Sequence, residues 1–193
     1  MTFDPAILRE LAVRLEPTGY LRIIPRIHEA TPLGMGHAAS RFSSPNGSFA
    51  LLYAARDLPT AIAERIVRDR YQGRQRRRIT MEELERFVVA AISTREPLRL
   101  LDLRTSGASR LGVPTDAVRG RAQPAGRRFS QQLYDGTDFD GIVYMSRITN
   151  GECVAVYDRA VKAKLDPACP VADVGRLADL IPTLTSLSIR LGG

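Results

Sequence analysis

The feature that most constrains the fold of this chain is a predicted β-hairpin in its C-terminal third. The segments GIVYMSRI (141–148) and ECVAVYD (152–158) are apolar, and the pair Asn150-Gly151 lies between them. Asn-Gly between two such segments is a strong signal for a tight turn between antiparallel strands. The sequence therefore predicts a β-sheet to which both segments belong.

The rest of the sequence predicts strands and helices without regular alternation. Apolar runs predict strands at YLRII (20–24), SFALLYAA (48–55) and PLRLLDL (97–103). Helices are predicted over 5–15, over 61–71, and from the capping box of Thr80 and Glu83 to about Ile92. Strands toward both ends of the chain, with helices between them and no βαβ repeat, favour an α+β fold in a single mixed α/β domain.

The composition restricts the location and the partners of the protein. No stretch approaches the roughly 18 apolar residues of a membrane span, and the N-terminus lacks a signal-peptide pattern, so we expect a cytoplasmic protein without membrane contact. Cys153 and Cys169 do not form a disulfide framework, and no Cys/His cluster predicts a metal site. The net charge of +7 favours an anionic partner, which is a nucleic acid, a phosphorylated small molecule or an acidic protein.

Common catalytic motifs are absent from the sequence. It has no phosphate-binding GxxxxGK[ST] loop, no GxSxG nucleophile elbow and no GxGxxG after a strand, which argues against most kinases, hydrolases and dehydrogenases. His28 and His37 share a loop rich in proline and glycine, where exposed residues are expected more often than a base or a ligand. The arginines of the run 74–78 predict a solvated loop, with binding to nucleic acid or a partner as the alternative.

Six polar residues stand out because they lie in or beside apolar elements: Arg22, Arg41, Tyr53, Glu64, Ser146 and Arg147. Buried polar groups need partners, so these positions form a site if they converge. Each also has a purely structural explanation; Glu64, for example, has Arg68 one helical turn away, where an exposed ion pair contributes little. On spacing alone, the structural explanation is favoured.

The order of these residues, however, resembles the RES family, which is named for an arginine, a glutamate and a serine. The matching segments are LRIIP, SRFSSPNGSFALLYAARDLPTAIAERIVR, PLRLLDL and DFDGIVYMSRITNGECVAVYD. The resemblance covers residues 20–160 and predicts a catalytic RES domain there. Outside it, the sequence predicts an N-terminal helix in 1–19 and a C-terminal extension, 161–193, that is apolar enough to pack on the domain. One departure is that Ser40 and Ser43 flank Arg41-Phe42, where many relatives have glycine before the arginine and an acidic or amide residue after the aromatic.

The resemblance also implies a fold and an activity. RES proteins resemble ADP-ribosyltransferases in fold and act as toxins beside a DNA-binding, Xre-like antitoxin. NAD is the implied substrate, cleaved at the nicotinamide–ribose bond, with Glu64, Arg41 and Ser146 as catalytic residues. Arg22, Arg41, Tyr53 and Ser146 are the implied NAD-binding residues. An arginine fork suits the pyrophosphate, and a carboxylate suits the positive charge that develops on the ribose.

Several alternatives remain open at this point. The ADP-ribose acceptor is water, phosphate or a protein, so a mono-ADP-ribosyltransferase that modifies a cellular protein, such as an enzyme of nucleotide metabolism, is one alternative. A non-enzymatic basic binding module is another. The antitoxin is expected to cover the NAD site, and we do not expect the chain to bind DNA without it. Within 105–137, Gln131 or an arginine is expected to close over the pocket.

Overall fold

A nine-stranded β-sheet organises the fold in a computed structural model that describes residues 3–36, 39–71, 73–120 and 123–192. The strands are β1 Ala12–Leu15, β2 Leu21–Pro25, β3 Leu51–Ala55, β4 Arg77–Thr80, β5 Phe87–Thr94, β6 Leu98–Asp102, β7 Gly141–Met145, β8 Glu152–Tyr157, β9 Leu165–Pro167, β10 Ala172–Asp173 and β11 Ile189–Gly192. Their order in the large sheet is β1-β6-β7-β8-β3-β2-β5-β10, with β9 also paired to β5, while β11 and β4 form a separate parallel pair.

Short helices cover this sheet. They are α1 Pro5–Glu10, α2 Leu58–Ile62, α3 Met81–Glu85, α4 Gly107–Arg110, α5 Thr115–Arg119, α6 Pro124–Gly136, α7 Asp158–Lys164 and α8 Leu180–Ser186. Two single 3-10 turns occur at Arg26–His28 and Val174–Arg176, and a π-helix, Ala63–Tyr71, continues α2 directly. Strands and helices do not alternate regularly, so the predicted α+β class is confirmed.

The predicted hairpin is confirmed at the centre of the sheet. Strands β7 and β8 pair antiparallel from Gly141↔Val156 to Met145↔Glu152, and β6 runs parallel to β7 on its other side. Asn150 has a φ of 55°, a left-handed conformation that asparagine tolerates better than most residues. Alternate residues of β7 enter two different apolar clusters, Ile142 on one face and Val143 on the other. Both faces of the hairpin are therefore buried.

Two helix predictions were wrong in extent. The helix predicted over 5–15 ends at Glu10, and residues 12–15 form β1, which pairs with β6. The capping box of Thr80 and Glu83 is present, but α3 ends at Glu85 and residues 87–94 form β5. The segment FVVAAIST is rich in β-branched residues and lies between β2 and the C-terminal strands, so tertiary pairing outweighs the helical pattern.

The C-terminal residues contribute to the same structure. Strands β9 and β10 both pair with β5, and β11 pairs with β4. Val174, Leu180 and Leu184 join the larger apolar cluster. In the part of the chain that is described, no helix is long and apolar enough to cross a membrane. Cys153 is buried, Cys169 is exposed, and both are free thiols.

The sheet opens between β2 and β3. These strands share a single pair of residues, Leu21↔Ala55. Beyond that pair they separate, and β2 stays paired with β5 while β3 stays paired with β8. At the far end of β3, Leu51 forms an isolated bridge with Gly36 from the intervening loop. The separation of two adjacent strands creates a cleft in the middle of the sheet.

Candidate active site

A cavity of about 500 Å³ occupies the cleft between β2 and β3. Its walls come from both strands, from the loop between them and from the π-helix. The lining includes Arg22, Arg65 and Arg68 against one carboxylate, that of Glu64. Its size is within the usual range for a small-molecule site, and its charge favours an anionic ligand.

Arg22 projects from β2 into this cavity. Its NH2 group donates a hydrogen bond of 2.9 Å to the carbonyl oxygen of Gly34, whereas its Nε and NH1 are buried and have no partner. Burial lowers the pKa of Arg22 to about 10, so the guanidinium remains charged at neutral pH. Buried, unpartnered donors are costly, and a guanidinium with two of them is suited to a ligand that supplies anionic oxygens.

Glu64 and Ser146 form a hydrogen-bonded pair, as their expected convergence required. The Ser146 hydroxyl donates to Glu64 Oε1 at 2.6 Å and accepts the backbone N–H groups of Ile148 and Thr149 at 3.1 and 3.3 Å. The Ser146 hydroxyl has one proton to donate. Because the two backbone N–H groups are themselves donors, Glu64 is the group that accepts the hydrogen bond from this hydroxyl. The serine therefore orients the carboxylate, while Glu64 Oε2 accepts no hydrogen bond from it.

The turn after β7 positions Ser146 through a second contact. Thr149 Oγ1 lies 2.9 Å from Thr60 Oγ1 on α2 and accepts the N–H of Gly151 at 3.2 Å. A Cβ at Gly151 would overlap the Thr60 hydroxyl. Close approach of the turn to α2 thus requires glycine here.

We expect Gly151→Ala to lower the free energy of unfolding by about 1–3 kcal/mol, because the added methyl group overpacks a buried contact. The turn must also move, which displaces Ser146 from Glu64. Thermal unfolding and an assay of NAD cleavage measure these two effects. Gly136→Ala at the end of α6 is the matched control, because a Cβ there meets open space. Equal stability of the two variants would contradict this interpretation.

Tyr53 contacts the loop that precedes it in sequence. Its hydroxyl lies 2.8 Å from Ser40 Oγ and accepts the N–H of Phe42 at 3.2 Å, and its ring lines the cavity. Burial raises the pKa of Tyr53 to about 12. Tyr53 therefore fixes the segment 40–42 against the cavity wall.

Arg41 lies beside the cavity but is not part of its lining. Its NH1 donates to the carbonyl oxygen of Val118 in α5, and burial lowers its pKa, while Tyr144 and Glu64 act in the opposite direction. A Cβ on Gly126 of α6 would overlap the carbonyl oxygen of Arg41, so this glycine permits close packing. Arg41 therefore joins the segment 105–137 to the site, and its predicted catalytic role stays a prediction.

Other residues at the site were not found by sequence reasoning. Tyr144 on β7 and Cys153 on β8 pair with each other and line the cavity with Glu64. Burial raises the pKa of both groups, so they remain protonated at neutral pH. Arg65 belongs to the π-helix, a conformation that is frequent at functional sites but has no clear sequence signal.

The structure agrees only in part with the predictions for His28, His37 and Gln131. His28 is exposed, as predicted, but it also lines the cavity. His37 lies outside the described residues. Gln131, expected to close over the pocket, instead bonds to Ser44, Ser48 and Asp135, away from the cavity lining. Among the residues that the structure describes, no group of three His, Cys, Asp or Glu is placed to hold a metal ion.

Comparison with known proteins agrees with this architecture. The RES domain family model matches residues 20–177. The probable toxin y4kH of Sinorhizobium fredii is 34% identical over 97 residues, which are 49% of this chain and 76% of that protein. A chain in the crystal structure of the M. tuberculosis MbcT-MbcA toxin–antitoxin complex has a TM-score of 0.65 at 17% identity, covering 97% of this chain and 99% of that one.

The fold is a mixed α/β domain whose cavity is lined by one carboxylate and several arginines. The comparisons identify the family to which a protein of this class belongs. The chain belongs to the RES domain family of toxins. At 17% identity the structural match shows the fold, and it confirms the predicted mixed α/β architecture.

Proposed function

We propose that this RES toxin is an enzyme that cleaves NAD at the nicotinamide–ribose bond. The observation that carries the proposal is the orientation of Glu64, which Ser146 holds by one oxygen at 2.6 Å in the wall of a 500 Å³ cavity. Cleavage of this bond builds positive charge on the ribose, as in glycoside hydrolysis. A carboxylate fixed beside that charge stabilises the transition state.

The remaining lining suits the other parts of NAD. The two unpartnered nitrogens of Arg22 supply charge-assisted hydrogen bonds to pyrophosphate oxygens. The aromatic rings of Tyr53 and Tyr144 offer an apolar wall for the nicotinamide. Burial raises the pKa of Tyr53, Tyr144 and Cys153 and keeps these three groups neutral, so Glu64 is the group of this set that supplies a carboxylate.

A cognate antitoxin is part of the same proposal. The matched crystal structure is that of a toxin–antitoxin complex, and the similarity to y4kH also indicates a toxin. The net charge of +7 favours a partner with acidic surface. Such a partner prevents NAD consumption in a growing cell.

Incubation of the purified chain with NAD, with and without inorganic phosphate, tests the activity, because either water or phosphate can accept the ADP-ribosyl group when nicotinamide leaves. We expect the release of one nicotinamide for each NAD consumed. When NAD is labelled in its adenine, we expect the label to be recovered in small products. Label retained on a protein instead indicates ADP-ribosyl transfer by the same site. No release of nicotinamide, from a chain that is folded and toxic in cells, overturns the proposal.

A further inference from the structure

Two cavity-lining arginines of the π-helix share one exposed carboxylate. Arg65 NH1 donates to Asp69 Oδ2 at 2.8 Å, and Arg68 Nε donates to Asp69 Oδ1 at 2.9 Å. Each oxygen of Asp69 thus holds one arginine, although Asp69 itself is not part of the cavity lining. The residue lies five positions after Glu64 on the same helix.

Arg68 lies between two carboxylates at unequal distances. Its NH1 is 3.9 Å from Glu64 Oε2, too far for a hydrogen bond, whereas its Nε is bonded to Asp69. Burial lowers the pKa of Arg68, but the hydrogen bond and charge of Asp69, with a contribution from Glu64, raise it overall. A movement of about 1 Å would bring NH1 into hydrogen-bonding distance of Oε2.

We propose that Asp69 is a positioning residue that holds Arg68 away from Glu64 and so keeps Glu64 Oε2 available to the substrate. This inference rests on the proposed function, because a ribose hydroxyl of NAD is the group that would bind Oε2. Glu64 Oε1 is already occupied by Ser146, so Oε2 is the oxygen that remains.

Loss of the charge on Asp69 removes the competing partner of Arg68. Arg68 then moves to Glu64, where a direct ion pair occupies Oε2 and offsets the negative charge that stabilises the ribose cation. The catalytic carboxylate is inhibited by its own neighbour. Stability changes little, because the ion pairs of Asp69 are exposed.

A double-mutant cycle with Asp69→Asn and Arg68→Gln tests this coupling. In the otherwise natural chain, Asp69→Asn is expected to lower kcat for nicotinamide release about tenfold. In the Arg68→Gln chain, the same change is expected to alter kcat less than about twofold, because the competing arginine is gone. Equal losses in both chains, or no loss in either, overturn the proposal. Glu82→Gln, which removes the acid of an exposed ion pair with Arg86 on α3, is the control and leaves kcat unchanged.

A crystal structure of the Asp69→Asn variant separates this inference from the proposed function. We expect the distance from Arg68 NH1 to Glu64 Oε2 to shorten from 3.9 Å to about 3 Å. A distance that stays near its present value overturns the positioning role whatever the substrate is. Absence of nicotinamide release by the natural chain, with the distance shortened, overturns the NAD assignment and leaves the contact between the two side chains established.

Discussion

Glu64→Gln is expected to lower the rate of nicotinamide release from NAD by at least about 100-fold, the effect typical of removing one group that stabilises transition-state charge. Glutamine has the size of glutamate, and its carbonyl oxygen accepts the Ser146 hydroxyl as Oε1 does. The variant therefore keeps the local structure and loses only the negative charge. The initial rate at saturating NAD measures the loss, because the carboxylate acts chiefly in the transition state.

We also expect Glu64→Gln to abolish the toxicity of the protein in cells. Induced expression of Glu64→Gln is expected to leave bacterial growth normal, with soluble protein at the level of the natural chain. Glu82→Gln makes the same chemical change at an exposed position of α3 and should remain toxic. Full activity and toxicity of Glu64→Gln would show that another group stabilises the cation.

Arg22→Met is expected to stabilise the protein while weakening NAD binding. Two nitrogens of Arg22 are buried without partners, and methionine fills similar volume without polar atoms, so we expect the free energy of unfolding to rise by about 1 kcal/mol. The loss of charge-assisted bonds to the pyrophosphate should weaken binding about 10- to 100-fold. This opposition between stability and function is typical of binding residues.

NAD binding is best compared in chains that consume NAD slowly. Thermal unfolding of Glu64→Gln, with and without Arg22→Met, reports both quantities: the melting temperature without NAD rises, and the increase caused by NAD shrinks. Arg14→Met, which makes the same change at an exposed position of β1, should alter neither. A lower melting temperature for Arg22→Met without NAD would mean that the bond to Gly34 outweighs the buried, unpartnered nitrogens.

The sequence predicted correctly those strands and helices that short, local sequence patterns specify. The hairpin of β7 and β8 follows from two apolar runs around Asn150-Gly151, and the start of α3 follows from the capping box of Thr80. Strand β5 was missed because its run of apolar residues suits a buried helix as well as a buried strand. Only the pairing of β5 with strands distant in sequence selects between the two.

The site shows the same division between local and distant information. The order of arginine, glutamate and serine, through its resemblance to a family, predicted that Glu64 and Ser146 share a site, and their side chains meet across 82 positions of sequence. The cavity itself was beyond sequence reasoning, because it depends on β2 and β3 separating after one shared pair of residues. The role that we propose for Asp69 could not be predicted for the same reason, since it depends on distances within the π-helix.

The hairpin thus remains the part of this protein that the sequence determined by itself, because two apolar runs joined by a short connection, residues 146–151, bury both faces in few arrangements. Only the tertiary structure decided where the sheet opens and which polar groups face the opening. Strand separation and the contacts of Arg22, Arg41 and Glu64 arise between residues far apart in the chain, and their free energies depend on burial that no short segment specifies.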